Sequence, residues 1–326
     1  MRYVPFAVPQ SLPQSPGRCW ALSGHQPAEL RSRRTFEATP TIVTAMAATS
    51  DNLMDKVGEI LQEVSKEAIE PRFEALREAE VRFKSPGEVV TVADEEAEHQ
   101  LKTRLGELIP EALFVGEEEF SDGAGLSEAL RNERIWLVDP LDGTANFVSG
   151  SPLWAVMVAL VRGGETTAAW IWQPAAKVMY QAELGAGTTR NGIPIVRPLA
   201  SLTAGDLRGS VLTKFLDAPT MERVDMHRHR FGSVGPGTRS AGIDYPRLIE
   251  GEQDFVMFWR TLPWDHAPGA LLVNESGGCV RRLNGDVYSP SQVGAGLLAA
   301  AGWGTWQVVR DSAWRLEIRR WRARAT

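Results

Sequence analysis

Apolar residues recur at helical spacing over Leu53, Val57, Ile60, Leu61, Val64 and Ala68, which predicts a helix capped by Asp51. Pro71 interrupts that pattern, and more helix is expected beyond it to about Arg82. Residues 88–92 are rich in β-branched side chains and read as a strand. Asp94 then stands where it would cap a helix carrying Leu101 and Leu105, which ends before Pro110. Short apolar runs at 113–115 and 135–138 read as strands, the second the stronger. Between turns, 154–161, 167–172 and 178–182 alternate or run apolar, the pattern of an antiparallel meander. Residues 209–300 return to mixed strand and helix, with helices expected at about 239–250 and 265–276. The mixture predicts an α+β or layered α/β fold of two intimately packed halves, 51–200 and 201–326.

The first stretch of the chain breaks the pattern. Prolines at 5, 9, 13, 16, 27 and 40 and arginines at 2, 18, 31, 33 and 34 stand against only Glu29 and Glu37, with no periodic apolar face. No apolar run of a secretory signal is present, so residues 1–50 are expected to be a disordered or spurious extension, with a transit peptide or a start at Met46 or Met54 as alternatives. With 326 residues, 43% of them hydrophobic, the remainder can bury a large core. A net charge of −6 gives no reason to expect nucleic acid or an anionic membrane as partner, and no run reaches the length of a membrane span. Cys19 and Cys279 are too few for a disulfide framework and fit a reducing compartment such as the cytoplasm.

Chemistry concentrates where the strand at 135–138 runs into Asp139-Pro140-Leu141-Asp142-Gly143-Thr144-Ala145-Asn146-Phe147. Two carboxylates at a strand end, with a proline bending the chain between them, can converge, and converging carboxylates raise each other's pKa unless a cation lies between them. Oxygen-only ligands favour a hard ion such as magnesium. Gly143 allows close approach of the backbone, and the amides of Gly143, Thr144 and Ala145 at a helix start would cradle a phosphate. Taken alone, the segment also reads as a surface Asp-Pro-x-Asp-Gly turn. Two other segments weigh against that. Gly116-Glu117-Glu118-Glu119 again sets carboxylates at a strand end, and Asp265, after Trp264, is placed to cap an apolar helix running to Glu275-Ser276-Gly277-Gly278.

Together with Val89-Val90-Thr91-Val92-Ala93-Asp94, these segments resemble the inositol monophosphatase family over roughly residues 50–310. The resemblance implies a layered αβαβα sandwich, often a homodimer, and magnesium-dependent hydrolysis of a phosphate monoester. It implies one metal on Glu117, Asp139 and the Leu141 carbonyl, and a second on Asp139, Asp142 and Asp265. It also implies that Thr144, paired with Asp94, orients the attacking water while Glu117 polarises it, with the phosphate against Gly143 and Thr144. Haloacid dehalogenase phosphatases use Asp-x-Asp-Gly-Thr, whose first aspartate is phosphorylated. Here two residues separate the aspartates, which favours direct attack by water.

Two positions depart from the family pattern. Its ring-lining Gly-Ser-Ala-Ala stretch corresponds to Arg239-Ser240-Ala241-Gly242, so Ser240 and Ala241 are expected at the substrate and Arg239 replaces a glycine. Seven residues before Asp265, where a hydroxyl-binding glutamate often stands, this chain has Phe258, flanked by Trp259 and Arg260. With Phe258 and Asp265 lining the substrate, an aromatic and cationic wall suits a flat or larger anionic ligand. A core-strand reading of Phe258 and Trp259, with Arg260 on the surface, stands beside it. His266 is expected to pack outward rather than to ligate a metal. The expected function is hydrolysis of a small phosphorylated metabolite: an inositol, sugar or nucleotide phosphate. A 3′(2′),5′-bisphosphate nucleotidase or fructose-1,6-bisphosphatase activity is the alternative among enzymes, and a non-catalytic phospholigand-binding protein the rival outside them.

Overall fold

The first helix begins ahead of Asp51, as α1 (Pro40–Val64), and buries Val57, Leu61 and Val64 on one stripe. The computed structural model describes residues 40–85, 88–292 and 294–313, so the extension assigned to 1–50 lies outside the described residues apart from the start of α1. The helix expected between Pro71 and Arg82 does not form. Pro71 withholds an amide, Phe73 turns extended and Glu74 takes φ +57, after which the chain enters a hairpin of β1 (Val81–Ser85) and β2 (Glu88–Thr91). The cap of α2 (Val92–Leu108) is Thr91 rather than Asp94. Thr91 Oγ1 accepts the Ala93 amide at 3.1 Å, while Asp94, one turn in, takes the Thr91 amide at 2.9 Å.

β3 (Leu113–Gly116), a short α3 (Leu126–Ala129), β4 (Arg134–Asp142) and α4 (Thr144–Val148) follow. The expected meander is β5 (Ala155–Arg162), β6 (Glu165–Gln173) and β7 (Val178–Glu183), and β8 (Gly187–Arg190) and β9 (Ile193–Ile195) extend it, antiparallel throughout. The rest comprises β10 (Arg208–Val211), α5 (Ala218–His227), β11 (Ser233–Gly235), α6 (Ala241–Glu250), β12 (Phe255–Arg260), α7 (Pro263–Glu275), β13 (Cys279–Arg282), β14 (Ala295–Ala300) and α8 (Trp303–Ala313).

Seven strands form one sheet in the order β3-β4-β5-β6-β7-β8-β9, and five form a second in the order β11-β10-β12-β14-β13. Strand parity then sorts side chains between layers. Trp136, Val138, Val156 and Val158 pack with α1 and α2, whereas Leu137, Ala155, Met157 and Ala159 pack toward α6 and α7. On β12, Val256 and Phe258 meet the same two helices from the other side, while Phe255 and Met257 face α5 and α8. The layers are therefore α1/α2, the seven-stranded sheet, α6/α7, the five-stranded sheet and α5/α8, an αβαβα sandwich. Covered on both sides, α7 has no polar face: Trp264, Ala267, Ala270, Leu271, Leu272 and Val273 are all buried. No helix among the described residues is long and apolar enough to cross a membrane.

Candidate active site

β4 ends in two aspartates three positions apart, which in a regular strand would face opposite sides of the sheet. A bulge corrects the parity. Asp139 pairs with Met157 and Asp142 with Ala155, so three steps along β4 span two along β5. Met157 and Ala155 face the α6/α7 layer, and both carboxylates turn to that side. Gly143 follows with φ +91, a conformation glycine adopts without strain, and a Cβ there would lie 2.9 Å from the Leu153 carbonyl oxygen. This turn starts α4 and brings the Thr144 hydroxyl within 2.9 Å of both Asp94 Oδ1 and the Leu141 carbonyl oxygen. Asp94 is buried, and its other oxygen accepts from the Thr91 amide at 2.9 Å and the Thr91 hydroxyl at 2.6 Å. Burial pushes its carboxyl up to about 6, against the pull of those bonds.

The second loop of the site is built on Gly116. Glu117 donates its amide to the Val138 carbonyl at 3.0 Å, which ties the loop to the end of β4. Beneath it, the buried Glu98 carboxylate accepts the amides of Glu118 and Glu119, each at 2.8 Å. Lys84 reaches over from the β1/β2 hairpin, with Nζ 3.2 Å from Glu117 Oε1 and 2.6 Å from Glu118 Oε2. Burial alone would lower the Lys84 pKa, but Glu117 and Glu118 together hold it above its ordinary range.

The third contribution comes from α7. Its N-cap is Leu262, so Asp265 sits in the first turn rather than at the cap. There it meets the other acids: one oxygen each from Glu117, Asp139 and Asp265 lies within 4.8 Å of the others. Burial, then the Glu117 charge, drives both Asp139 and Asp265 well above the ordinary carboxylate range. Asp142 lines the same cleft, but its Oδ2 accepts from Ser240 Oγ at 2.5 Å and the Gly242 amide at 2.6 Å. Burial pushes Asp142 up to about 6 despite those bonds. An all-oxygen cluster whose pKa values are raised first by burial and then by its own crowded charges suits a hard divalent cation. His266 does not pack outward. It is buried, burial pushes its pKa down to about 3, and its Nε2 must donate to the Arg260 carbonyl at 3.0 Å, leaving Nδ1 to accept from Tyr245 at 3.0 Å.

These groups open into a cleft of about 520 Å³ that Gly143, Thr144, Ala145, Ala241, Phe258 and Asp265 all line. Ser240, expected at the substrate, is buried and spends its hydroxyl on Asp142. Phe258 satisfies both readings of it. It lines the cleft, yet it is 2% exposed, stacked on Tyr245 at 4.9 Å and edge-on to His266 at 4.7 Å. The far rim is cationic. Arg260 pairs with Glu88 and lies 4.0 Å over the Phe215 ring, Lys214 Nζ stands 4.7 Å from the same ring, and Arg239 donates to Asn146 Oδ1 at 2.9 Å. Lys84, Glu98, Lys214 and Phe215 carry no motif, and sequence reasoning passed over them. Only Asp94-x-x-x-Glu98, one helical turn, offered a signal.

The chain matches the profile of the inositol monophosphatase family over residues 45–314. It is similar to the Thermotoga maritima protein named fructose-1,6-bisphosphatase/inositol-1-monophosphatase, 30% identical over 200 residues, covering 61% of this chain and 73% of that protein. It is similar also to the Chlorobaculum parvum histidinol-phosphatase, 31% identical over 238 residues, covering 69% of this chain and 88% of that one. Among solved structures, the extragenic suppressor protein SuhB from Bartonella henselae superposes with a TM-score of 0.68 at 23% identity, over 81% of this chain and 99% of that one. The profile match spans most of the chain and takes in every element that builds the acidic cleft, so this protein belongs to the inositol monophosphatase family and is a phosphoric monoester hydrolase.

Proposed function

We propose that this enzyme uses magnesium to hydrolyse a small phosphate monoester by direct attack of water. The observation that carries the reading is the convergence of Glu117, Asp139 and Asp265 within 4.8 Å beside the Thr144–Asp94 pair. Glu117, Asp139, Asp142, Asp265 and the Leu141 carbonyl are the groups to hold the ion. When bound, magnesium offsets their repulsion, polarises the phosphoryl group and stabilises the leaving oxygen. Thr144 has one proton and two acceptors in reach, Asp94 Oδ1 and Leu141 O. Donating a hydrogen bond to the Asp94 carboxylate, its own proton retained, leaves the Thr144 oxygen free to accept one from water and aim it at phosphorus, while Glu117 would take the single proton that the attacking water loses. Gly143 and Thr144 lie where the phosphate would rest. The test is phosphate release in thoroughly chelated protein. Activity should vanish and return with magnesium, and calcium, whose looser geometry misplaces the water, should inhibit. Full turnover without metal would end the proposal.

A second, finer reading concerns the substrate. Names among the relatives range over inositol, fructose and histidinol phosphates, so family membership leaves the leaving group open. Lys214, Arg239 and Arg260 around the cleft, with an aromatic wall in place of a hydroxyl-binding glutamate, favour a substrate with a second anionic group.

A further inference from the structure

We propose that Glu98 is a positioning residue that sets where Glu117 stands over the site, so that α2 holds both loops of the acidic cluster in one register. The inference rests on the metal-dependent reading above, but its geometry is independent of substrate. Asp94 and Glu98 lie one turn apart on the buried face of α2. From that face, Asp94 accepts the Thr144 hydroxyl at 2.9 Å, and Glu98 accepts two consecutive amides of the Gly116 loop at 2.8 Å each. The turn after β4 and the loop after β3 are thus hung from one rigid element.

Three features make the Glu98 contact more than a loop cap. First, the fit is close: a Cβ on Gly116 would fall 2.3 Å from Glu98 Oε2, so the loop backbone rests directly on the carboxylate. Second, Glu117 is fixed from two sides, by its own amide on Val138 O at 3.0 Å and by the carboxylate grip on the next two residues. Third, the chemistry demands a carboxylate. The Glu118 amide lands on Oε2 and the Glu119 amide on Oε1, and a glutamine would turn an opposing NH₂ group toward one of them. A buried carboxylate held by amides is a costly way to close a loop unless the exact height of that loop matters.

The experiment compares wild type with Glu98→Gln, which keeps the shape, and Glu98→Asp, which keeps the charge but withdraws the fork. Thermal melts confirm the fold of each. Hydrogen exchange at the amides of 117–120 is then measured without metal, and magnesium binding by calorimetry together with the magnesium dependence of activity. Both variants are expected to speed loop exchange about tenfold and to weaken magnesium binding by about tenfold or more, while kcat at saturating magnesium falls far less. Unchanged loop exchange and magnesium affinity in either folded variant overturns the proposal, as does a loss of kcat with no change in magnesium dependence. If wild type binds no magnesium, the metal reading fails, and the exchange arm still decides whether Glu98 holds the loop.

Discussion

Replacing Asp142 by asparagine should stabilise the metal-free protein while disabling it. The buried Asp142 carboxyl titrates at about 6 in the folded chain against its ordinary 3.8. A folded pKa above the unfolded one means that the folded state holds its proton longer. Stability is then greatest below 3.8 and falls as pH rises through about 6, where the folded protein too must carry the charge. The difference corresponds to about 3 kcal/mol at pH 7.5, shrinking to about 1 kcal/mol at pH 4.5. Asparagine removes the charge without orphaning its neighbours, because its amide oxygen can accept the Ser240 hydroxyl and the Gly242 amide as Asp142 Oδ2 does. In chelator at pH 7.5, Asp142→Asn should therefore melt roughly 6 °C above wild type, with the gap closing toward pH 4.5. Magnesium should then raise the wild-type melting temperature and move the variant far less. A variant that melts below wild type at pH 7.5, or a gap that does not change with pH, would refute the account of Asp142 as a carboxylate whose charge is penalised chiefly by burial.

Three further outcomes bear on the cleft wall. A substrate with a second phosphate should show a higher kcat/KM than inositol 1-phosphate, and a tenfold preference the other way, about 1.4 kcal/mol in transition-state binding, would remove the cationic rim from the argument. Arg239→Gly should change stability by less than about 1 kcal/mol, because relief of the left-handed backbone at φ +65 offsets the lost contact with Asn146. In steady-state kinetics, the same variant should raise KM for the doubly charged substrate about tenfold.

The meander from β5 to β7 was plain in the sequence because its strands are short, apolar and bounded by turns. Of the hairpin at 81–91, the second strand read as a strand at 88–92, but the first, 81–85, did not. The Arg82 and Lys84 side chains of that first strand favour helix locally, and what holds it as strand includes tertiary contact, with Lys84 on Glu117 and Glu118 and Arg82 on Glu95. At α2 and α7 the aspartate nearest the start lies inside the first turn and not at the cap. Thr91-Val92-Ala93-Asp94 is a capping box written with aspartate, so the correct boundary was available. His266 was misjudged because its partners, Tyr245 and the Arg260 carbonyl, come from neighbouring elements that no local pattern announces.

The acids themselves were legible as a motif, but the reason they converge was not. Spacing alone puts Asp139 and Asp142 on opposite faces, and only the bulge against Met157 and Ala155 turns both inward. Crowding them there has a cost that the rest of the cleft reflects. Phe258 stands where a further carboxylate often does, and its ring packs on Tyr245 and on His266, the residue after Asp265. An acid in that place would add charge to a cluster already driven up in pKa by burial and by its own members. A neutral ring spares the cluster that charge, and it leaves the cleft with acids on the metal side and cations on the other. That polarity is what a phosphate ester with a second anionic group would need: oxygen ligands for the metal at one end, and Arg239, Lys214 and Arg260 to receive the charge at the other.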